Sequence, residues 1–379
     1  MRPADELAQS HRIYFMDALR AFLMTLGIVL HSTQLFNPER SWLISSSESA
    51  DFAGYLVTAI TTFRMPAFFI VSGFFCVWSL NKYAPGQFLR LRLAQVVIPF
   101  LVTAVVLNSI QTALLFSNGS LNFQFDEYLL QGGYISHLWF LCNLIVYFAV
   151  AGLVAHQFRE PAARFARRLS RGFEQSPICL VLVVLPSLNI AVLVLNQLGF
   201  PLYSSFLGVW NTYNIFWYTP YFLFGLILGL SEKNLLRFAQ FSPLLCALGL
   251  MLGVAGAHYI TFDGGIMRKT IHVYCETSTV WCAAALCFQF FYRFANSPNR
   301  FSRLISEASY TVYLFHHGLV VAIGLLIMQL ALPIIVQLMV LIASVSLITI
   351  GIHRYLIDRH SMLKLLFNGK FRPASAVPT

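Results

Sequence analysis

The chain has 379 residues, of which 58% are hydrophobic and only 11% charged. Soluble domains carry about 25% charged residues, so this deficit excludes an ordinary soluble fold and points to a polytopic membrane protein. The net charge of +10 does not indicate a nucleic-acid partner, because the cations fall in short loops between apolar runs.

Met1 to Arg12 is polar and lacks a cleavable signal pattern, so the first apolar run reads as an uncleaved signal-anchor. That run, Phe15 to Phe36, is long enough to cross a bilayer yet holds Asp17, Arg20 and His31. Ionisable groups inside a membrane face protein or a wet cavity, since each costs at least ~2.5–3.5 kcal/mol at the bilayer centre. Arg20 and His31 are eleven residues apart, about 1100° of helical rotation, or about 20° from three full turns. They share one face, separated by roughly 16 Å of rise. Met24 and Gly27 lie between them, and Gly27 leaves room for a substrate or a neighbouring helix.

Apolar runs and Pro/Gly-containing loops predict an all-α bundle of about ten transmembrane helices. The spans are 15–36, 53–80, 93–116, 136–155, 178–198, 211–230, 240–260, 271–292, 307–330 and 334–356. The second is overlong, which implies tilt or an interfacial outer part at 52–62. Placing both termini in the cytoplasm puts nearly all of the 25 Lys and Arg inside. The outer loops then hold only Arg40, Arg268 and Lys269, and Arg64 alone lies within a span. A cytoplasmic segment 1–14, a transmembrane domain 15–357 and a cytoplasmic tail 358–379 follow. The basic loop 156–176 reads as an amphipathic segment that touches anionic lipid or docks a polyanionic cofactor. Seven cysteines without a CxxC pair indicate neither a zinc site nor a disulfide framework.

This topology assigns depths. Asp17 and Arg20 lie near the cytoplasm; His31, His137, Trp139, His272 and Glu276 lie in the outer half. Arg64, His316 and His317 fall near mid-depth, and Tyr310, Tyr313 and His317 share a helix face. The outer aromatics Trp42, Tyr203, Trp210, Tyr213, Trp217 and Tyr218 suit either an interfacial belt or stacking against sugar rings.

With these residues in view, the chain resembles the acyltransferase-three family of polytopic membrane acyltransferases. FMDALRAFLMTLGIVLH carries the family's Arg-x10-His arrangement at Arg20 and His31. FRMPAFFIVSGFF carries the FFxxSG motif with Ser72 and Gly73. RLRLAQVVIP, SHLWFL and SYTVYLFHHGL follow in the family's order. Where relatives often have a second Arg four residues before the proline, this chain has Gln95. The doubled His316–His317, the FRM before PAFF and the terminal MLKLLFNGK resemble members that succinylate osmoregulated periplasmic glucans.

The resemblance implies an enzyme of the bacterial cell inner membrane that moves a succinyl group from cytoplasmic succinyl-CoA to glucan hydroxyls. It holds no permanent cofactor or metal, and its partners are the acyl-CoA, the glucan, the bilayer and a glucan synthase. On this reading His31 is the general base, Glu276 its orienter, and His137 or Ser72 the oxyanion donor. Arg20, Arg90, Arg92, His316 and His317 hold the donor, and Arg64, Trp139, Trp210 and Trp217 hold substrate. Two other readings stand beside it. One is an O-acetyltransferase of another envelope polysaccharide using acetyl-CoA; the other is a glycan transporter or flippase without covalent chemistry.

Overall fold

A computed structural model describes residues 13–39, 42–121, 124–206, 208–260 and 265–370. The N-terminal segment through Arg12, Arg40 and the end of the tail, 371–379, lie outside them. Among the described residues the regular structure is helical, including one short turn of helix at Phe125–Leu130, apart from a hairpin in which β1 (Ser205–Phe206) pairs antiparallel with β2 (Trp210–Asn211). The helices are α1 (Tyr14–Gln34), α2 (Asp51–Lys82), α3 (Pro85–Ser117), α4 (Ser136–Gln157), α5 (Arg159–Gln175) and α6 (Pro177–Gln197). Then follow α7 (Thr212–Gly229), α8 (Glu232–Ala239), α9 (Pro243–Tyr259), α10 (Ile266–Phe294), α11 (Arg300–Ile327), α12 (Ile334–Ile357) and α13 (Ser361–Asn368).

Every one of the ten expected spans falls on a helix. Length and apolarity support fewer crossings: seven helices pass, or up to eight if α7 and α8, bent by 119°, form one span. The difference has simple causes. Helix α9 has 17 residues, and α10 carries Arg268, Lys269, His272 and Glu276 in its first turns. Helix α2, with 32 residues, is about 48 Å long against a hydrocarbon core of about 30 Å. The chain is a multi-pass, all-α membrane protein.

Helix α1 sits inside the bundle against α2, α10, α11 and α12. Its apolar residues Phe15, Leu19, Leu23, Ile28 and Leu30 are buried in protein rather than turned to lipid. Small residues set the closest approaches, as membrane packing requires where no hydrophobic drive separates helix from lipid. A Cβ at Gly73 of α2 would collide with the Phe222 carbonyl of α7, and one at Gly225 with the Ile70 carbonyl. Helix α9 uses Gly249, Gly253 and Gly256 in the same way against Cys282, Thr279 and Cys275 of α10.

Two prolines free carbonyls that tyrosines then satisfy. A proline has no N–H for the carbonyl four residues back, and bare carbonyls cost several kcal/mol in hydrocarbon, roughly. Pro99 of α3 strands the Gln95 carbonyl, which accepts a hydrogen bond from Tyr310 of α11 at 3.1 Å. Pro186 of α6 strands the Leu182 carbonyl, and Tyr274 of α10 donates to it. Large apolar side chains face outward on α3 (Val105, Ile110), α6 (Val183, Leu188), α9 (Met251, Leu252) and α12 (Met339, Leu347). Such surface is tolerated where the surrounding solvent is lipid.

Candidate active site

Helix α1 organises two polar clusters, one at each end. At its C-terminal end, residues from three helices join His31. Helix α11 supplies His316 and His317, and the start of α4 supplies His137 behind Ser136, whose φ of +49° is the one positive value at a described non-glycine residue. That left-handed turn is costly for a residue with a Cβ. It is held by Tyr313, which donates to the His137 carbonyl at 2.9 Å.

The ring of His31 lies 4.7 Å from His317 and 5.4 Å from His316, centroid to centroid, and Trp42 stacks on it at 5.3 Å. His137 stacks on His317 at 4.5 Å. His31 Nδ1 lies 2.8 Å from Gln34 Oε1. An amide oxygen only accepts, so Nδ1 carries the proton and Nε2 presents its lone pair. His317 Nδ1 donates to Gln111 Oε1 at 2.7 Å, with Ser136 Oγ 3.4 Å away. His316 Nδ1 donates to the Tyr313 carbonyl at 2.8 Å. His316 Nε2 and both ring nitrogens of His137 are buried without a partner among the described residues. Buried polar atoms are nearly always paired, so the unpaired nitrogens of His137, which lines a cavity, mark a place where a substrate completes the bonding.

Arg64 of α2 reaches into the same cluster. It is 6% exposed, and its Nε donates to the Leu23 carbonyl at 3.0 Å. Among the described residues no carboxylate pairs with it. Gly27 makes the room: a Cβ there would come within 2.6 Å of Arg64 Nη2 and 2.8 Å of His316 Nε2. A cavity of about 220 Å³ is lined by His31, Arg64, His137, Trp139, Tyr218 and Tyr313. Trp139 also lines a second cavity of about 560 Å³, whose polar wall includes Gln111, Tyr128, Gln131 and Asn211.

At the other end of α1, a cavity of about 370 Å³ is lined by Arg20, Ser72, Arg92, Gln95, Ser306 and Tyr310, among others. Arg20 Nη2 donates to Ser306 Oγ at 3.2 Å and lies 3.5 Å from Asp17 Oδ1. Arg92 donates to Ser79 Oγ at 3.1 Å and to the Phe75 carbonyl at 3.2 Å. Phe140 is the side chain between the two ends, lining this cavity and the one at His31. Phe68 meets it edge-on at 4.6 Å.

The remaining expected residues lie elsewhere. Glu276 is away from His31: its carboxylate, on a side chain 56% exposed, lies 3.3 Å from His272 one turn back on α10. Gln34 occupies the orienting position instead. Ser72 donates to the Phe68 carbonyl and lines the Arg20 cavity, not the histidine cluster. His316 and His317 stand beside His31 rather than beside Arg20. Arg90 is exposed and does not line the Arg20 cavity. Trp210 Nε1 donates to the Cys142 carbonyl at 3.2 Å, and Trp217 stacks on Tyr213, itself stacked on Tyr203. Gln34 and Gln111 were not singled out in the sequence. Gln34 carried a signal, since it follows His31 by three residues on one helix face. Gln111 carried none.

A family model described as an acyltransferase domain matches residues 13–353. Glucans biosynthesis protein C of Escherichia coli strain K12 is 26% identical to this chain over 378 residues, covering 95% of both. The protein of that name from Escherichia coli strain SMS-3-5 is 25% identical over the same length and share of each chain. No solved structure matches the chain.

Proposed function

The chain belongs to this acyltransferase family, and from that membership we propose that it transfers a succinyl group from succinyl-CoA to hydroxyls of osmoregulated periplasmic glucans. The setting is the bacterial inner membrane, with ten crossings and both termini in the cytoplasm. The positive-inside pattern of Lys and Arg supports that orientation. It makes the Arg20 cavity the cytoplasmic one and the histidine cluster the periplasmic one.

One observation carries the reading. His31 presents a free Nε2 lone pair in the same cavity as Arg64, a buried guanidinium without a carboxylate partner among the described residues. A glucan hydroxyl is a poor nucleophile until a base takes its proton, and a neutral imidazole suits that task. The hydroxyl oxygen attacks the thioester carbonyl carbon while its proton passes to His31 Nε2. The carbon–sulfur bond then breaks, and the departing thiolate takes that proton back. Ester and free thiol result. His137, whose ring nitrogens have no partner among the described residues, donates to the carbonyl oxygen as it gains charge. Arg64 binds the free carboxylate of the succinyl group, where its planar fork offers two charge-assisted hydrogen bonds. The glucan enters through the cavity of about 560 Å³ beside Trp139. The donor's arm climbs from Arg20 past Met24, displacing Phe140.

The test supplies succinyl-CoA and acetyl-CoA to membranes carrying the full-length protein with periplasmic glucan, and weighs the product by mass. Succinylated glucan is expected from wild type. Arg64→Met should cut succinyl transfer about ten- to a hundredfold, the worth of a hydrogen bond to a charged group, and leave acetyl transfer alone. Transfer from acetyl-CoA only would make the chain an O-acetyltransferase. Glycan movement with no acylated product would make it a transporter.

A further inference from the structure

Residues 358–370 do not hang free of the bundle. After α12 the chain turns at Asp358, whose Oδ1 lies 2.6 Å from Lys364 Nζ. Helix α13 then runs back beneath the bundle, and Phe367 packs on Phe315 of α11 at 4.9 Å between centroids. Gly369 follows in the left-handed region at φ +58°, where a Cβ would meet the backbone of Ala94 and Gln95. Glycine is thus required twice, by its dihedral and by contact. This close approach brings Asn368 and Lys370 into the wall of the cavity that holds Arg20 and Arg92.

Both side chains are unusual there. Asn368 is 7% exposed, and its Oδ1 is buried with no hydrogen-bond donor among the described residues. Lys370 stands at the cavity mouth with its pKa below the ordinary lysine value, because it is partly desolvated and because Arg20 lies near. The acid of this wall, Glu307, is engaged by Arg303 at 2.9 Å. Three cations and an unfilled acceptor therefore surround one space.

We propose that the hook 358–370 is part of the acyl-donor site: Lys370 pairs with a phosphate of coenzyme A, and Asn368 Oδ1 accepts an amide N–H from its pantetheine arm. The inference rests on the acyl-CoA reading above. It adds to Arg20 and Arg92 two donor-binding residues from the far end of the chain, and makes the docked hook a condition of donor binding.

The experiment measures equilibrium binding of unacylated coenzyme A to the full-length protein in detergent. Wild type, Lys370→Gln, Lys370→Arg and Asn368→Ala are compared, with thermal midpoints to confirm folding. Lys370→Gln should weaken binding about three- to fivefold, in the range of a solvent-accessible ion pair. It should also flatten the salt dependence, and Lys370→Arg should restore both. Asn368→Ala should raise KM for the donor and leave kcat unchanged. Wild type that fails to bind coenzyme A would overturn the acyl-CoA reading itself. Wild type that binds, with Lys370→Gln and Asn368→Ala binding equally well, would overturn the hook's role and leave that reading in place.

Discussion

At the scale of single residues, the proposed reaction turns on the tautomer of His31. Gln34 fixes it by accepting from Nδ1. His31→Ala should abolish transfer, with a loss of about a hundredfold or more expected for a general base. Gln34→Leu keeps the imidazole but releases it. It should lower kcat about tenfold, the loss of one ordinary hydrogen bond, with KM for either substrate unchanged; steady-state kinetics would show the split. His31→Ala also removes a ring packed on Trp42 and His317, so thermal midpoints of both variants should accompany the kinetics. Gly27 offers a contrasting case. Gly27→Ala would push Arg64 and His316 apart, and impaired succinyl transfer without loss of folding is the outcome to look for.

At the scale of elements, the helices are joined by repairs as much as by packing. Tyr310 covers the carbonyl that Pro99 strands, and so locks α11 to α3 at the level of the Arg20 cavity. Tyr310→Phe should cost about 1–3 kcal/mol, because the carbonyl is left bare in an apolar setting, read as a lower thermal midpoint in detergent. The sequence showed Pro99 and Tyr310 but not that they answer one another, since they are far apart in the chain. The same limit explains the site. The Arg20–His31 face was legible because both residues lie on one helix with fixed periodicity. His137 was legible as an outer neighbour of His31 from topology, but the arrival of His316 and His317 on that face was not, because the crossing of α11 over α1 sets it through tertiary packing. Glu276 failed as the orienter for a local reason that was visible: His272 stands one turn away on the same helix and takes its carboxylate.

At the scale of the molecule, the bundle is threaded so that its first and last helices meet at one cavity. The apolar runs announced the helices, and all ten expected segments are helical. The number that cross was harder to read, because α9 is short and α10 begins polar. The proposed orientation can be checked directly. An epitope placed after Thr379 should be cleaved by protease in inside-out vesicles and protected in right-side-out ones; the reverse would invert every assignment of side.

Phe140 has a consequence beyond the reaction. A protein hollowed from both ends, with polar walls and imidazoles in line, is the kind of object through which protons leak. Phe140, braced by Phe68, is the side chain that lines both hollows, which makes it the place where a seal against proton leak would sit. Phe140→Ala should therefore discharge an imposed pH gradient in proteoliposomes faster than wild type, whatever it does to transfer. Cells carrying it would bear a cost in membrane energetics.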